Sequence, residues 1–249
     1  MSTADEETTH FGFKEVIKTE KEQMVRNVFN SVSSKYDIMN DLMSLGIHRL
    51  WKNALINWLS PQAHYTLLDV AGGTGDIAFR YKKMGGGFTI VCDINDKMLE
   101  KGRQKLAKDK YAADINWICG DAEGLPFPDR SFDVYTIAFG LRNVTNISKA
   151  LQEAQRVLRP GGRFLCLEFS RLAVSAIKPL YDSYSFKILP EIGSFVANDR
   201  EAYVYLAESI RKFPNQRNLI GLMKEAGLER AQYRNLSGGV AAIHSAWRL

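Results

Sequence analysis

The stretch Leu68-Asp69-Val70-Ala71-Gly72-Gly73-Thr74-Gly75-Asp76 ends a short apolar run with three glycines in four residues, bracketed by two aspartates. Glycines at a strand's C-terminal end let backbone N–H groups come close to a ligand, and the next helix N-terminus adds a positive field. A triphosphate loop needs Gly-Lys-Ser/Thr, and Asp76 stands where that lysine is required. The spacing is not GxGxxG either, although Asp93, ending the next apolar run, is placed to bind a ribose and leaves a dinucleotide open.

Outward from this loop, short apolar runs recur: "TLLDVAGG", "FTIVCDIN", "INWICGDAEG", "FDVYTIAFGL" and "GRFLCLEFS". Each runs into Gly, Asp, Asn or Ser and reads as a strand buried on both faces. Helical stretches lie between them. Asn146 to Leu158 is the clearest, with an apolar stripe at helix spacing that Pro160-Gly161-Gly162 terminates. Alternation of this kind predicts a mostly parallel sheet covered by helices on both faces. Glu20 to Leu59 is helical in pattern, so helices are expected before any strand. A further helix is expected near Gln216 to Ala226, and Ser237-Gly238-Gly239 joins two closing strands.

The glycine loop fits the acidic-x-Gly-x-Gly-x-Gly pattern of class I S-adenosylmethionine-dependent methyltransferases, with Asp69, Gly73 and Gly75 in place. Ala71 stands where the first glycine is usual, which suggests a less demanding backbone angle there. The predicted fold is therefore α/β and Rossmann-like, with a mostly parallel seven-stranded sheet. Residues 1–60 form an N-terminal helical extension of the same domain. Residues 61–249 form the methyltransferase domain, with an aromatic, helical cap inserted at about 171–214.

Acidic groups fall at three successive strand ends, and sheet topology gathers such ends at one site. Asp69 and Asp76 can lie near a cationic sulfonium, Asp93 can accept from ribose hydroxyls, and Asp121 can accept from an adenine amine. Singly, each has a plainer role: strand end, helix cap or turn former.

Bulk composition is that of an ordinary globular chain, at 45% hydrophobic and 24% charged over 249 residues. The net charge of +5 comes from scattered Lys and Arg, so no nucleic acid partner is expected. Cys92, Cys119 and Cys166 sit in strand-like runs without CxxC spacing, which predicts buried packing thiols and no metal. No apolar run is long enough to span a bilayer.

The segments "GDAEGLPFPDRSFDVYTIAFGLRNV" and "ALQEAQRVLRPGGRFLCLEFS" closely resemble the ubiquinone/menaquinone biosynthesis C-methyltransferase family, as do "THFGF", "KYDIMNDLMSLGIHRLWK" and "YLAESIR". The resemblance runs from about Thr9 to Leu249. "VCDIN", "YTIAFGLRNVT", "RFLCLEFS" and "AIHSAWRL" look like the mitochondrial coenzyme Q branch, and Ala138 replaces a serine usual in bacterial relatives.

This resemblance implies S-adenosylmethionine as cofactor and methylation of a ring carbon of 2-methoxy-6-polyprenyl-1,4-benzoquinol. Carried over by motif, cofactor contacts fall on Thr74 with its glycine loop, Asp93, Asp121 and Ala122. The catalytic candidates are Arg142 and Asn143, at the end of a strand, and Tyr36, as a partner for ring oxygens. Arg142 has too high a pKa to be a direct base, so it would stabilise a phenolate or hold a water. His48 has a suitable unperturbed pKa for base work, but a structural role reads as well. Tyr181, Tyr184, Phe186, Ile188 and Leu189, with Met39, Leu42 and Met43, are candidates to line a groove for the polyprenyl tail. The expected partners are the polyprenyl benzoquinol, proteins of a coenzyme Q biosynthesis complex, a membrane surface and a second copy as a homodimer. The expected location is the matrix side of the mitochondrial inner membrane as a peripheral protein, or else the bacterial cytoplasm at the membrane face.

Overall fold

A computed structural model describes residues 8–32, 41, 44, 46–107, 109–172, 191 and 199–249. A central sheet runs in the order β5-β4-β3-β6-β7-β9-β8. Its strands are β3 (Leu67–Val70), β4 (Thr89–Asp93), β5 (Ile115–Cys119), β6 (Phe132–Ala138), β7 (Leu158–Phe169), β8 (Glu229–Leu236) and β9 (Ala241–Trp247). β3, β4, β5, β6 and β7 pair parallel, and β9 runs antiparallel between β7 and β8. The seven-stranded, mostly parallel sheet expected from the sequence is thus present.

From β3 the chain passes to β4 on one side, while β6 pairs on the other. The loop after β3, which holds the three glycines, lies at this switch in strand order, where open α/β sheets bind ligands. Every β3 residue is buried, as a central parallel strand requires.

Helices cover both faces. α2 (His48–Leu59), α3 (Asp76–Lys83) and α6 (Arg200–Lys212) bury Trp51, Leu55, Tyr81, Tyr203 and Leu206 against Leu165, Leu167 and Phe169 of β7. On the opposite face α5 (Ile147–Val157) and α7 (Gln216–Glu225) bury Leu151, Val157, Leu219 and Met223 against Tyr135, Ile137 and Phe164. Each fully buried leucine or valine contributes roughly 1.5–3 kcal/mol against exposure. α4 (Asp96–Leu106) packs Met98 and Leu99 inward, capped by the Asn95 side chain on the Met98 N–H.

Three expectations need correction. A hairpin, β1 (Thr8–Phe11) and β2 (Lys14–Ile17), precedes the first helix, α1 (Lys18–Val32). Its strands are too short to show a period, and Gly12 turns between them at φ 61°. Cys119 is exposed because β5 is an edge strand, whereas Cys92 and Cys166 are buried. α5 ends at Val157 because Leu158 is already extended, at ψ 143°, so Pro160-Gly161-Gly162 lies within β7 rather than stopping the helix.

Of the predicted cap, α6 is described. Tyr181, Tyr184, Phe186, Ile188 and Leu189, like Tyr36, Met39, Leu42 and Met43, lie outside the described residues.

Candidate active site

A cavity of about 330 Å³ opens at the C-terminal ends of β3, β4, β5 and β6. That volume falls in the range of small-molecule sites, about 300–1,000 Å³. Its floor is Ala71 and Gly73 from the glycine loop, Asp93 from β4, and Asp121 with Ala122 after β5. Phe139, Gly140 and Asn143, after β6, form one end, and Val25, Arg26 and Phe29 of α1 close the top.

Asp93 holds the floor together. One carboxylate oxygen accepts from the Gly73 N–H at 2.9 Å and the other from the Asn95 N–H at 2.8 Å. Burial pushes its carboxyl up to about 6, against the pull of those two bonds. Asp121 accepts from the Glu123 N–H at 2.9 Å and shapes the turn that brings Ala122 inward. Gly73 sits at φ 54°, where an added Cβ would lie 3.3 Å from Met98 Cε. Backbone therefore meets the cavity with no side chain in front of it.

Other sequence candidates are not brought to the cavity wall. Asp69 is buried at the end of β3, where Thr136 Oγ1 donates to it at 2.7 Å, and burial raises it to about 7. Asp76 opens α3 and is engaged by Lys52 at 2.8 Å and Arg80 at 2.9 Å. Burial pushes Asp76 up, but the two cations more than offset it and hold the carboxyl at about 2. Asp76 therefore ties α2 to the start of α3. Thr74 and Gly75 are not among the lining residues, and the Gly75 N–H closes the loop onto Gly72 O at 2.8 Å. His48 is also buried away from the cavity, with Nε2 2.8 Å from Asp41.

Ala71 corrects the expectation of an easy backbone angle. It sits at φ 49°, in the left-handed region. Phe139 does the same at φ 58°, which is unusual for a bulky residue and marks a turn held by its surroundings. The holding group is Arg142. Its guanidinium lies 3.0 Å from both Glu168 oxygens and donates to the Phe139 carbonyl, and the Glu168 carboxylate also accepts from the Arg142 N–H. Both side chains are buried, at 3% and 1% exposed, and burial pushes the Glu168 carboxyl up while Arg142 opposes it. Arg142 is thus outside the cavity lining and Asn143 is within it.

Sequence reasoning missed Glu168, Phe139, Tyr205 and the α1 wall. Val25 and Phe29 recur at helix spacing and read as packing. A glutamate inside "FLCLEF" was a usable signal, because a charge in a strand buried on both faces needs a partner.

The lining fits S-adenosylmethionine: Asp93 keeps lone pairs for a ribose diol, Asp121 for an amine, and Gly73 admits close backbone approach. Residues 17–248 match the ubiE/COQ5 methyltransferase family. The chain is 53% identical over 250 residues to the ubiquinone/menaquinone biosynthesis C-methyltransferase UbiE of Ruegeria sp., covering 100% of both chains. It is 55% identical over 249 residues to UbiE of Acidiphilium cryptum, again covering 100% of both. Among solved structures, an S-adenosylmethionine-dependent methyltransferase from Thermotoga maritima superposes with TM-score 0.63 at 19% identity, over 90% of this chain and 100% of that one. That similarity shows the shared fold. The glycine loop at the switch point, the acidic floor beside it and the full-length identity lead to one conclusion: the chain belongs to the ubiE/COQ5 methyltransferase family, and it is an S-adenosylmethionine-dependent C-methyltransferase.

Proposed function

We propose that the chain methylates a ring carbon of 2-methoxy-6-polyprenyl-1,4-benzoquinol in ubiquinone biosynthesis. The observation that carries this reading is one continuous cavity, in which the cofactor floor of Gly73, Asp93 and Asp121 runs into a partly aromatic end formed by Phe139 and Asn143. Ring-sized space beside a fixed amide suits a hydroxylated aromatic acceptor.

The cofactor supplies an electrophilic methyl group on a cationic sulfur. The chain does the rest. Gly73, Asp93, Asp121 and Ala122 hold and orient the cofactor, while Val25, Phe29 and Phe139 exclude water from the acceptor. Asn143 Nδ2 donates toward an acceptor ring oxygen and stabilises negative charge there as the hydroxyl passes its proton to solvent at the cavity mouth. The ring carbon that takes the methyl then releases its own hydrogen to solvent as a proton, which restores aromaticity. Arg142, with Glu168, sets the turn that presents Asn143. Tyr36 completes the proposal as a second partner for the ring oxygens.

Demethylmenaquinol is a second acceptor reading, favoured by the name of the relatives, which covers both quinones. The polyprenyl tail places the work at a membrane face, and among the described residues no helix is long and apolar enough to cross one. Both relatives named above are bacterial, so the proposal takes the membrane face of a bacterial cytoplasm ahead of a mitochondrial membrane. Association with other quinone-biosynthesis proteins and with a second copy belongs to the same proposal.

Methyl transfer to benzoquinols of graded tail length, to demethylmenaquinol and to a simple phenol tests it. The expected ranking puts the methoxy-polyprenyl-benzoquinol first. A higher kcat/KM on the simple phenol contradicts it.

A further inference from the structure

Two segments noted in the sequence, "THFGF" and "YLAESIR", meet in the structure. The Phe11 ring stacks on Tyr205 of α6, with centroids 4.1 Å apart and planes 16° from parallel. The Phe13 N–H donates to Glu208 at 3.0 Å, which seats the hairpin turn on the same helix. Thr9 Oγ1 donates to Thr145 O at 3.5 Å and Lys21 Nζ to Val144 O at 2.8 Å, so hairpin and α1 also grip the loop that carries Asn143.

The Tyr205 hydroxyl, in turn, donates to Asn143 Oδ1 at 3.1 Å, and Asn143 Nδ2 donates to Phe139 O at 3.4 Å. These two bonds decide which way round the amide sits. Turned over, it would set oxygen against the Phe139 carbonyl oxygen. In the observed orientation one Nδ2 hydrogen and one Oδ1 lone pair have no partner among the described residues. Tyr205 is 4% exposed, and burial pushes its phenol up, so the hydroxyl stays a donor.

We infer that Tyr205 is a positioning residue for methyl transfer: its hydroxyl fixes the Asn143 amide so that the free N–H faces the acceptor oxygen, and Phe11 seats its ring. The inference rests on the proposal that a hydroxylated ring enters beside Asn143. It makes the N-terminal hairpin part of the acceptor end of the site, because losing the stack frees the tyrosine and then the amide.

Tyr205→Phe keeps the ring and its stack and removes the hydroxyl alone. The expected result with methoxy-polyprenyl-benzoquinol is a kcat lowered about tenfold, the equivalent of one lost hydrogen bond, with calorimetric cofactor affinity unchanged. In an Asn143→Ala background the same substitution then has no further effect. The side-chain amide resonance of Asn143, observed with ¹⁵N-labelled asparagine, shifts in Tyr205→Phe, and Phe11→Ala gives a smaller shift in the same direction. Wild-type kcat in Tyr205→Phe, an equal loss in the Asn143→Ala background, or an unmoved amide resonance overturns the inference. Should wild-type protein methylate no quinol, the acceptor reading fails by itself, and the amide resonance still decides whether Tyr205 fixes Asn143.

Discussion

Ala71 and Gly140 face one another across the switch point of the sheet, so closely that a Cβ on Gly140 would lie 2.4 Å from the Ala71 Cβ. Ala71 supplies the methyl group and Gly140 the space for it. The pair joins the glycine loop to the Phe139–Asn143 end of the cavity, since both residues line it. Ala71 meanwhile keeps a left-handed backbone that glycine adopts without strain.

Gly140→Ala should therefore destabilise the protein by about 1–3 kcal/mol through overpacking, with weaker cofactor binding. Ala71→Gly alone should stabilise by about 1 kcal/mol by releasing backbone strain. The double variant should recover most of the loss. Thermal melts check this at roughly 2–4 °C per kcal/mol for a chain of this size.

The Arg142–Glu168 pair gives a second test. Glu168→Gln leaves a buried guanidinium without its counter-charge and should cost about 3–5 kcal/mol in urea denaturation. Replacing both members by apolar residues of similar volume should regain stability but not methyl transfer, because the Phe139 carbonyl loses the donor that sets the turn.

Asp93 binds the glycine loop to β4 through its bond to the Gly73 N–H. Asp93→Ala removes both of its backbone bonds. Cofactor affinity measured by calorimetry should fall about 10- to 100-fold, since hydrogen bonds to a charged group are each worth about 1.5–3 kcal/mol.

Asp69 makes stability depend on pH. Its folded pKa of about 7 stands above the ordinary aspartate value of 3.8, so the folded state holds the proton more tightly than the unfolded state. The resulting stabilisation, up to roughly 4 kcal/mol, is fully present below about pH 4 and lost as pH rises through about 7. Nearby Asp76 raises the Asp69 value further, while the Thr136 hydroxyl and Lys52 oppose it. Asp69→Asn should flatten this part of the stability profile, read from denaturation midpoints between pH 5 and pH 8 relative to wild type.

The sequence made the sheet legible because β3, β4, β6 and β7 are buried on both faces and so appear as unbroken apolar runs ended by turn residues. It brought Gly73, Asp93 and Asp121 to one cavity because they sit at strand ends that topology must gather. It did not show that Asp69 and Asp76 stay out of the cavity lining, since side-chain direction at a strand end depends on partners such as Thr136 and Lys52, which are distant along the chain. The hairpin stayed hidden because four-residue strands have no measurable period. Tyr205 stayed hidden because its contacts are with Phe11 and Asn143, 194 positions upstream and 62 positions upstream respectively.

The most direct test of the proposed function is transfer of a labelled methyl group from S-adenosylmethionine to a short-tailed methoxy-polyprenyl-benzoquinol, run in matched reduced and oxidised form. A quinol hydroxyl feeds electron density into the ring, and a quinone has no such donor. The account predicts label on a ring carbon of the quinol alone. Equal labelling of the quinone, or no label in either form while calorimetry shows the cofactor bound, would contradict it.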